Sequence, residues 1–256
     1  MKKTVVFASI ILAFCLALGG CSAVDRMASG AYTEGDAVIT EEIYKIDIEW
    51  PQGGVIVRGS ESAKDISIRE TSTEGAELAT RIIGSVLYIR SAMPGKEDEA
   101  GEKTLMVIVP SDYNYREIEI RTQSANAGLR MLKASRADIE TVSGKISVIA
   151  CDIDDEAELE SISGSITVKG NVADYDIQTE SGSVEITADS IPDDIDIETQ
   201  KGIIIAYLPA ETPVGSIKAK TEGSFSNDLT NTAKGKHYAF ESETGSVFIL
   251  KNINKQ

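Results

Sequence analysis

From residue 41 onwards, apolar and polar residues alternate in short runs. The clearest lie at 44–48 (Tyr-Lys-Ile-Asp-Ile), 55–57, 65–69, 86–90 and 105–109. A period of two is that of a β-strand with one face buried. Turn signals, such as Gly53-Gly54 and the charged stretch from residue 94 to 103, separate the runs. A single short helix is expected over residues 77 to 83. Residues 22 to 40 are small and polar with no sustained period, which reads as a tether.

From about Ile118 one motif recurs: an apolar residue, a polar one, Thr or Ser, a Gly turn, then apolar and polar residues in alternation. The copies are IETVSGKISV, LESISGSITV, IQTESGSVEI, IETQKGIIIA and FESETGSVFI, with a variant around KTEGSF. Their turn glycines are Gly144, Gly164, Gly182, Gly202, Gly245 and, in the variant, Gly223, so successive turns lie 18 to 22 residues apart. Such a period marks a repeat architecture.

Phase carries the argument further. Ile139, Leu159, Ile177, Ile197 and Phe240 stand five residues before their glycines, while Ile146, Ile166, Val184 and Val247 stand two after. Around Gly223 the strand before the turn is one residue out of phase, with Ile217 six before. One unit buries too few side chains to offset the entropy of ordering it, so units must stack. The predicted fold is all-β, a parallel β-solenoid of about 20 residues per unit. An antiparallel β-sandwich is the alternative, because Ser-Gly and Thr-Gly turns also join hairpins.

The N-terminus follows a different rule. Lys2 and Lys3 precede an apolar run from Val5 to Leu18 that ends in Gly19-Gly20. This is the plan of a signal peptide over residues 1 to 20, and the run is too short for a spanning helix. Leu18-Gly19-Gly20-Cys21 resembles the bacterial lipobox, in which the cysteine takes a diacylglycerol and becomes the new N-terminus. That resemblance implies two or three acyl chains, such as palmitate, on Cys21, enough for durable anchoring. The expected organisation is a signal peptide at 1–20, lipidated Cys21 and tether at 21–40, an N-terminal β-region at 41–117 and the repeats at 118–256. The expected location is the extracytoplasmic side of the cell membrane.

Charge narrows the partners. Cleavage after residue 20 removes Lys2 and Lys3 and no acid, leaving 23 basic and 41 acidic residues, a net charge of −18. Nucleic acid is disfavoured, since phosphate backbones are held by clustered Lys and Arg. Of three cysteines, Cys15 leaves with the signal and Cys21 carries lipid. Cys151, without a partner in the chain, reads as a small buried hydrophobe.

The Ser-Gly-Ser-Ile and Thr-Gly-Ser-Val units, with residues 105–110 (Leu-Met-Val-Ile-Val-Pro) and 118–122 (Ile-Glu-Ile-Arg-Thr), resemble a bacterial envelope family of adhesin-like β-strand repeats, a domain of unknown function. The likeness covers about residues 41 to 252. The first unit departs from it, with Ser124-Ala-Asn-Ala-Gly128 in place of a compact Ser-Gly pair. Its motifs are structural, and what they imply is a cell-surface role with no set substrate.

Stacking would align like charges. Asp138, Glu158, Asp176 and Asp196 form one row, and Glu140, Glu160, Glu198 and Glu241 form another. A solvated acidic face is the plainer explanation, because calcium-binding solenoid repeats are absent, so no metal ligand is assigned. Asp152, Asp154, Asp155, Asp193 and Asp194 invite comparison with glycan-cleaving β-helices, but as acidic residues in connections they have a local role. His237, the only histidine, sits in a polar connection without a nucleophile-elbow motif. Trp50 and Tyr207 are surface or core aromatics.

Together these features predict a lipid-anchored envelope protein with a non-catalytic adhesive, binding or structural surface, no catalytic residue and no cofactor. Its partners are the membrane through Cys21 and an envelope protein or glycan. Envelope-stress sensing would use the same surface, and a glycan-active β-helix enzyme is the alternative.

Overall fold

The computed structural model describes residues 32–71, 78–92, 103–230 and 235–252. The signal peptide, Cys15 and Cys21 lie outside these residues, as does the first half of the tether. Among the described residues twenty strands, numbered in chain order, form one mostly parallel sheet curled into two ladders that close over a common core.

In the first ladder the spatial order is β1 (Thr33–Glu34), β6 (Ala79–Ile83), β7 (Val86–Arg90), β3 (Lys45–Glu49), β9 (Asn114–Thr122) and β11 (Lys133–Thr141). It continues with the second halves of β12 (Ile146–Ser161) and β13 (Ile166–Thr179), then β15 (Asp194–Thr199), β19 (Lys236–Ser242) and β17 (Val214–Thr221).

The second ladder runs β2 (Ala37–Ile39), β5 (Ile66–Glu70), β8 (Lys103–Pro110), β4 (Gly53–Ser60), β10 (Asn126–Arg130) and the first halves of β12 and β13. β14 (Val184–Ala188), β16 (Ile204–Pro209), β20 (Val247–Asn252) and β18 (Phe225–Asn227) complete it. The antiparallel pairings among the described residues, β1–β6, β6–β7, β2–β5 and β5–β8, all lie at the N-terminal end. The antiparallel sandwich therefore does not describe this chain.

Each rung is a strand of the first ladder, a turn, and a strand of the second. Ile139, Leu159, Ile177, Ile197 and Phe240 line the core from one side, and Ile146, Ile166, Val184 and Val247 from the other. A buried hydroxyl stands three residues before each regular turn glycine. The Gly144 N–H donates to Thr141 Oγ1 at 2.9 Å, Gly164 to Ser161 Oγ at 2.7 Å, Gly182 to Thr179 Oγ1 at 3.0 Å and Gly202 to Thr199 Oγ1 at 2.9 Å. Each turn packs so closely on the next that a methyl on Gly164 would overlap the Gly144 carbonyl oxygen, and one on Gly182 that of Gly164. Only glycine fits this column.

Stacking in strict chain order holds from β9 to β16 but fails at both ends. At the start, the β3–β4 rung lies inside the later β7–β8 rung. At the finish, the β19–β20 rung slots between β15–β16 and β17–β18. Interior chemistry explains the second case. β19 and β20 bring buried Tyr238, Phe240, Val247 and Ile249, whereas the β17–β18 rung offers Ala219 and Asn227 at the positions of Phe240 and Ile249. The more apolar rung takes the inside. In the displaced rung the phase slip is real: Thr221, aligned with Ser242, accepts from the Gly223 N–H two residues on, rather than three.

Three local expectations are corrected. The stretch expected to be helical at 77–83 is strand β6 over Ala79–Ile83, the first arm of a hairpin with β7 that turns at Gly84, φ 60°. Cross-strand pairs such as Ile82 with Leu87 outweigh a weak local helix preference. The second half of the tether holds β1 and β2, with Gly35 at φ 92° between them. Asp152, Asp154 and Asp155 lie within β12, and Asp194 opens β15, rather than standing in connections. β12 and β13 carry the chain from one ladder to the other without a loop, by bends at Ala150 (φ 54°) and Gly170 (φ 151°).

Candidate binding surfaces

Two outward faces carry the chemistry. On the first ladder, Glu119, Asp138, Glu158, Asp176 and Asp196 align in one row, and Arg121, Glu140, Glu160, Gln178, Glu198 and Glu241 in the next. Basic residues gather towards the ends of these rows. Lys45 Nζ lies 3.1 Å from Glu117 and 2.6 Å from Glu119, Arg121 pairs with Glu119, Arg136 pairs with Glu156 and Glu158, and Lys220 Nζ lies 2.5 Å from Glu241. Partial burial raises the central carboxyls: Asp138 is pushed up to about 6 and Glu160 to about 7, with neighbouring carboxylates adding to the shift. The rows inferred from phase are thus brought together as one acidic face. Among the described residues no group of three His, Cys, Asp or Glu side chains could hold a metal ion.

The outward face of the second ladder carries Ser147, Thr167, Lys169, Glu185 and Thr187 along its middle, with Ile149 among them and Ile56, Met106 and Ile108 towards the N-terminal end. Its C-terminal part changes character. Ile205 and Tyr207 of β16 stand beside Phe248 and Leu250 of β20, in register, and Ile203 next to them is 43% exposed. All four paired side chains are half-buried, so they form one contiguous apolar patch pointing away from the core. Phase analysis overlooked it because the same outward positions are polar in the two units before it, Glu185 with Thr187 and Thr167 with Lys169. The signal was in the sequence IIIAYL, where alternation gives way to a continuous apolar run.

The remaining candidates separate cleanly. Cys151 is buried, and burial pushes its thiol up to about 11, which makes it unreactive. Trp50 is a core residue whose Nε1 donates to the Lys103 carbonyl at 3.0 Å, while Tyr207 belongs to the outward patch. Asp152 and Asp154 accept from Asn171 and Asn114 at 2.7 and 2.9 Å, and Asp193 pairs with Lys236. His237 lies in β19 rather than in a connection, with its Nδ1 2.7 Å from Ser216 Oγ. Both side chains are exposed, and Ser216 is the one hydrogen-bond partner of His237 among the described residues. A nucleophile and base need a third group to orient the imidazole, and no carboxylate is hydrogen-bonded to it here.

Comparison with solved structures finds likenesses spread over most of the chain. A candidate adhesin from Bacteroides fragilis aligns with a TM-score of 0.51 at 13% identity, over 88% of this chain and 98% of that one. A candidate adhesin from Parabacteroides distasonis aligns at 0.45 and 14%, over 87% and 98%. A candidate cell adhesion protein from Clostridium sporogenes aligns at 0.38 and 12%, over 87% and 100%. Comparison with curated proteins finds no match. The Bacteroides alignment speaks to the fold. A family description, Toastrack DUF4097, matches residues 44–252, from just before β3 to the end of β20. The chain belongs to the Toastrack DUF4097 family.

Proposed function

We propose that this protein is a lipid-anchored component of the bacterial envelope that presents a parallel β-solenoid, about 20 residues per unit, as a non-catalytic binding or adhesive surface. The observation that carries the binding role is the outward apolar patch of Ile205, Tyr207, Phe248 and Leu250 on the C-terminal part of the second ladder. Contiguous apolar surface in a soluble domain costs solubility and marks a contact site. Two aromatic rings suit either a protein partner or the apolar face of a sugar ring. The Bacteroides fragilis protein of similar fold, a candidate adhesin, agrees with this reading.

The anchor rests on the lipobox-like Leu18-Gly19-Gly20-Cys21 after the apolar run. Metabolic labelling with an acyl probe tests it: Cys21→Ala should abolish the label and shift the protein out of the detergent phase, and equal label on both proteins would contradict the anchor. The binding role is tested by capture from envelope fractions. Tyr207→Ser with Phe248→Ser should lower capture of a specific component at least about fivefold, as expected for hot-spot aromatics, while leaving the melting temperature nearly unchanged. Undiminished capture would move the contact site elsewhere on the molecule.

A further inference from the structure

The two terminal rungs are complementary. β1 is antiparallel to β6 and β6 to β7, so β1 runs in the direction of the parallel ladder. By the same double reversal through β5 and β8, β2 runs with the second ladder. The β1–β2 rung at one end and the β17–β18 rung at the other therefore have the same polarity, and among the described residues no strand pairs beyond either.

At the β17–β18 end the described residues leave part of the interior uncovered. Phe225 is 49% exposed, and Ile217, an inward residue, is only half-buried. β17 is an eight-residue edge, long enough to template another strand.

Charge selects the occupant. Following the registered pairs across the whole first ladder, the row that begins at Glu34 in β1 ends at Lys220 in β17. Thr33 and Ala219 terminate the adjacent inward row in the same way. We infer that a second copy of this chain docks by its β1–β2 rung on the β17–β18 rung of the first, in register, placing Glu34 of one copy beside Lys220 of the other and Ala37 beside Asn227. The contact joins different surfaces of the two copies, so it propagates into an open filament. A two-fold contact between two β17–β18 ends is disfavoured, because it would bring the exposed Lys218 and Lys220 of each copy towards those of the other.

Cross-linking of the full chain in detergent tests this with a short bis-maleimide. A chain carrying both Glu34→Cys and Lys220→Cys should give dimers, trimers and longer species. Chains carrying one substitution should stay monomeric alone and give only dimers when mixed. A doubly substituted chain that keeps its circular dichroism yet remains monomeric would overturn the inference, as would dimers from Lys220→Cys alone. Light scattering supplies a second reading: Lys220→Glu should weaken self-association roughly three- to tenfold, and adding Glu34→Lys should restore it. A loss that the swap fails to restore would show that the contact lies elsewhere.

Discussion

The two ends of the stack solve the edge problem differently. At the N-terminal end the chain doubles back through β5 and β6, and β1 and β2 finish the ladders with strands of two and three residues. Beneath them lie Trp50, a buried Lys103–Glu70 ion pair at 3.0 Å and Arg90, which reaches Asp47 at 2.9 Å. At the C-terminal end, among the described residues, no strand pairs beyond the last rung, which presents an eight-residue edge, a half-exposed phenylalanine and, just inside it, the apolar patch on β16 and β20. Folds built from stacked units need terminal caps for solubility. The two ends differ in the edge they present: strands of two and three residues over buried ion pairs at one, an eight-residue strand beside partly exposed apolar side chains at the other.

That contrast can be broken from the capped side first. Lys103→Ala strips Glu70 of its buried partner and should cost about 3–5 kcal/mol, read as a large fall in the denaturation midpoint. A loss below about 1 kcal/mol would place the pair in solvent rather than under the cap, in the range of surface pairs. Next in size is the glycine column. Gly182→Ala, wedged against the Gly164 carbonyl, should lose roughly 2–3 kcal/mol, within the tail reserved for backbone clashes. Gly223→Ala in the outermost rung should lose about 1 kcal/mol, since among the described residues no strand beyond that rung resists a shift. Equal losses would mean the C-terminal rung is held as firmly as the interior.

A smaller effect comes from the acidic face between the ends. Asp138 and Glu160 have folded pKa values raised to about 6 and 7 by burial, with Glu140 shifted the same way. A carboxyl raised on folding takes up protons as the chain folds. Its favourable contribution is complete below its ordinary value near 4 and is lost as pH rises through the folded value. Stability should therefore fall as pH climbs from about 4.5 to 7, and Glu160→Gln should flatten that slope. A rise in stability over the same window would contradict the raised values. Smallest of all, Phe225→Ser at the open end should change the melting temperature of dilute protein by no more than about 2 °C, corresponding to well under 1 kcal/mol. Phe240→Ala, one rung inward, should cost about 3–5 kcal/mol.

The regular middle of the fold was readable because each residue there answers to one local rule. Alternation fixed the inward rows, and the return of Ile139, Leu159, Ile177 and Ile197 at one phase implied stacking. The recurrent Thr and Ser were visible as part of the motif, but their role as buried caps for the glycine N–H groups depends on how closely the turns pack. The order of the terminal rungs was not legible, because it depends on which of two similar rungs has the richer interior. Nor could Ala79–Ile83 be distinguished from a short helix without its partner β7. The apolar patch needed two strands 43 residues apart in pairing, Ile205 with Phe248 and Tyr207 with Leu250, before it became a surface.

Hydrogen exchange, followed strand by strand, tests the difference between the ends most directly. The β17 and β18 amides should exchange far faster than those of β12 and β13 in dilute protein, while β5 and β6 remain protected. Protection of β17 should then grow as the concentration is raised. Protection of β17 equal to that of the interior at every concentration would contradict an open C-terminal end.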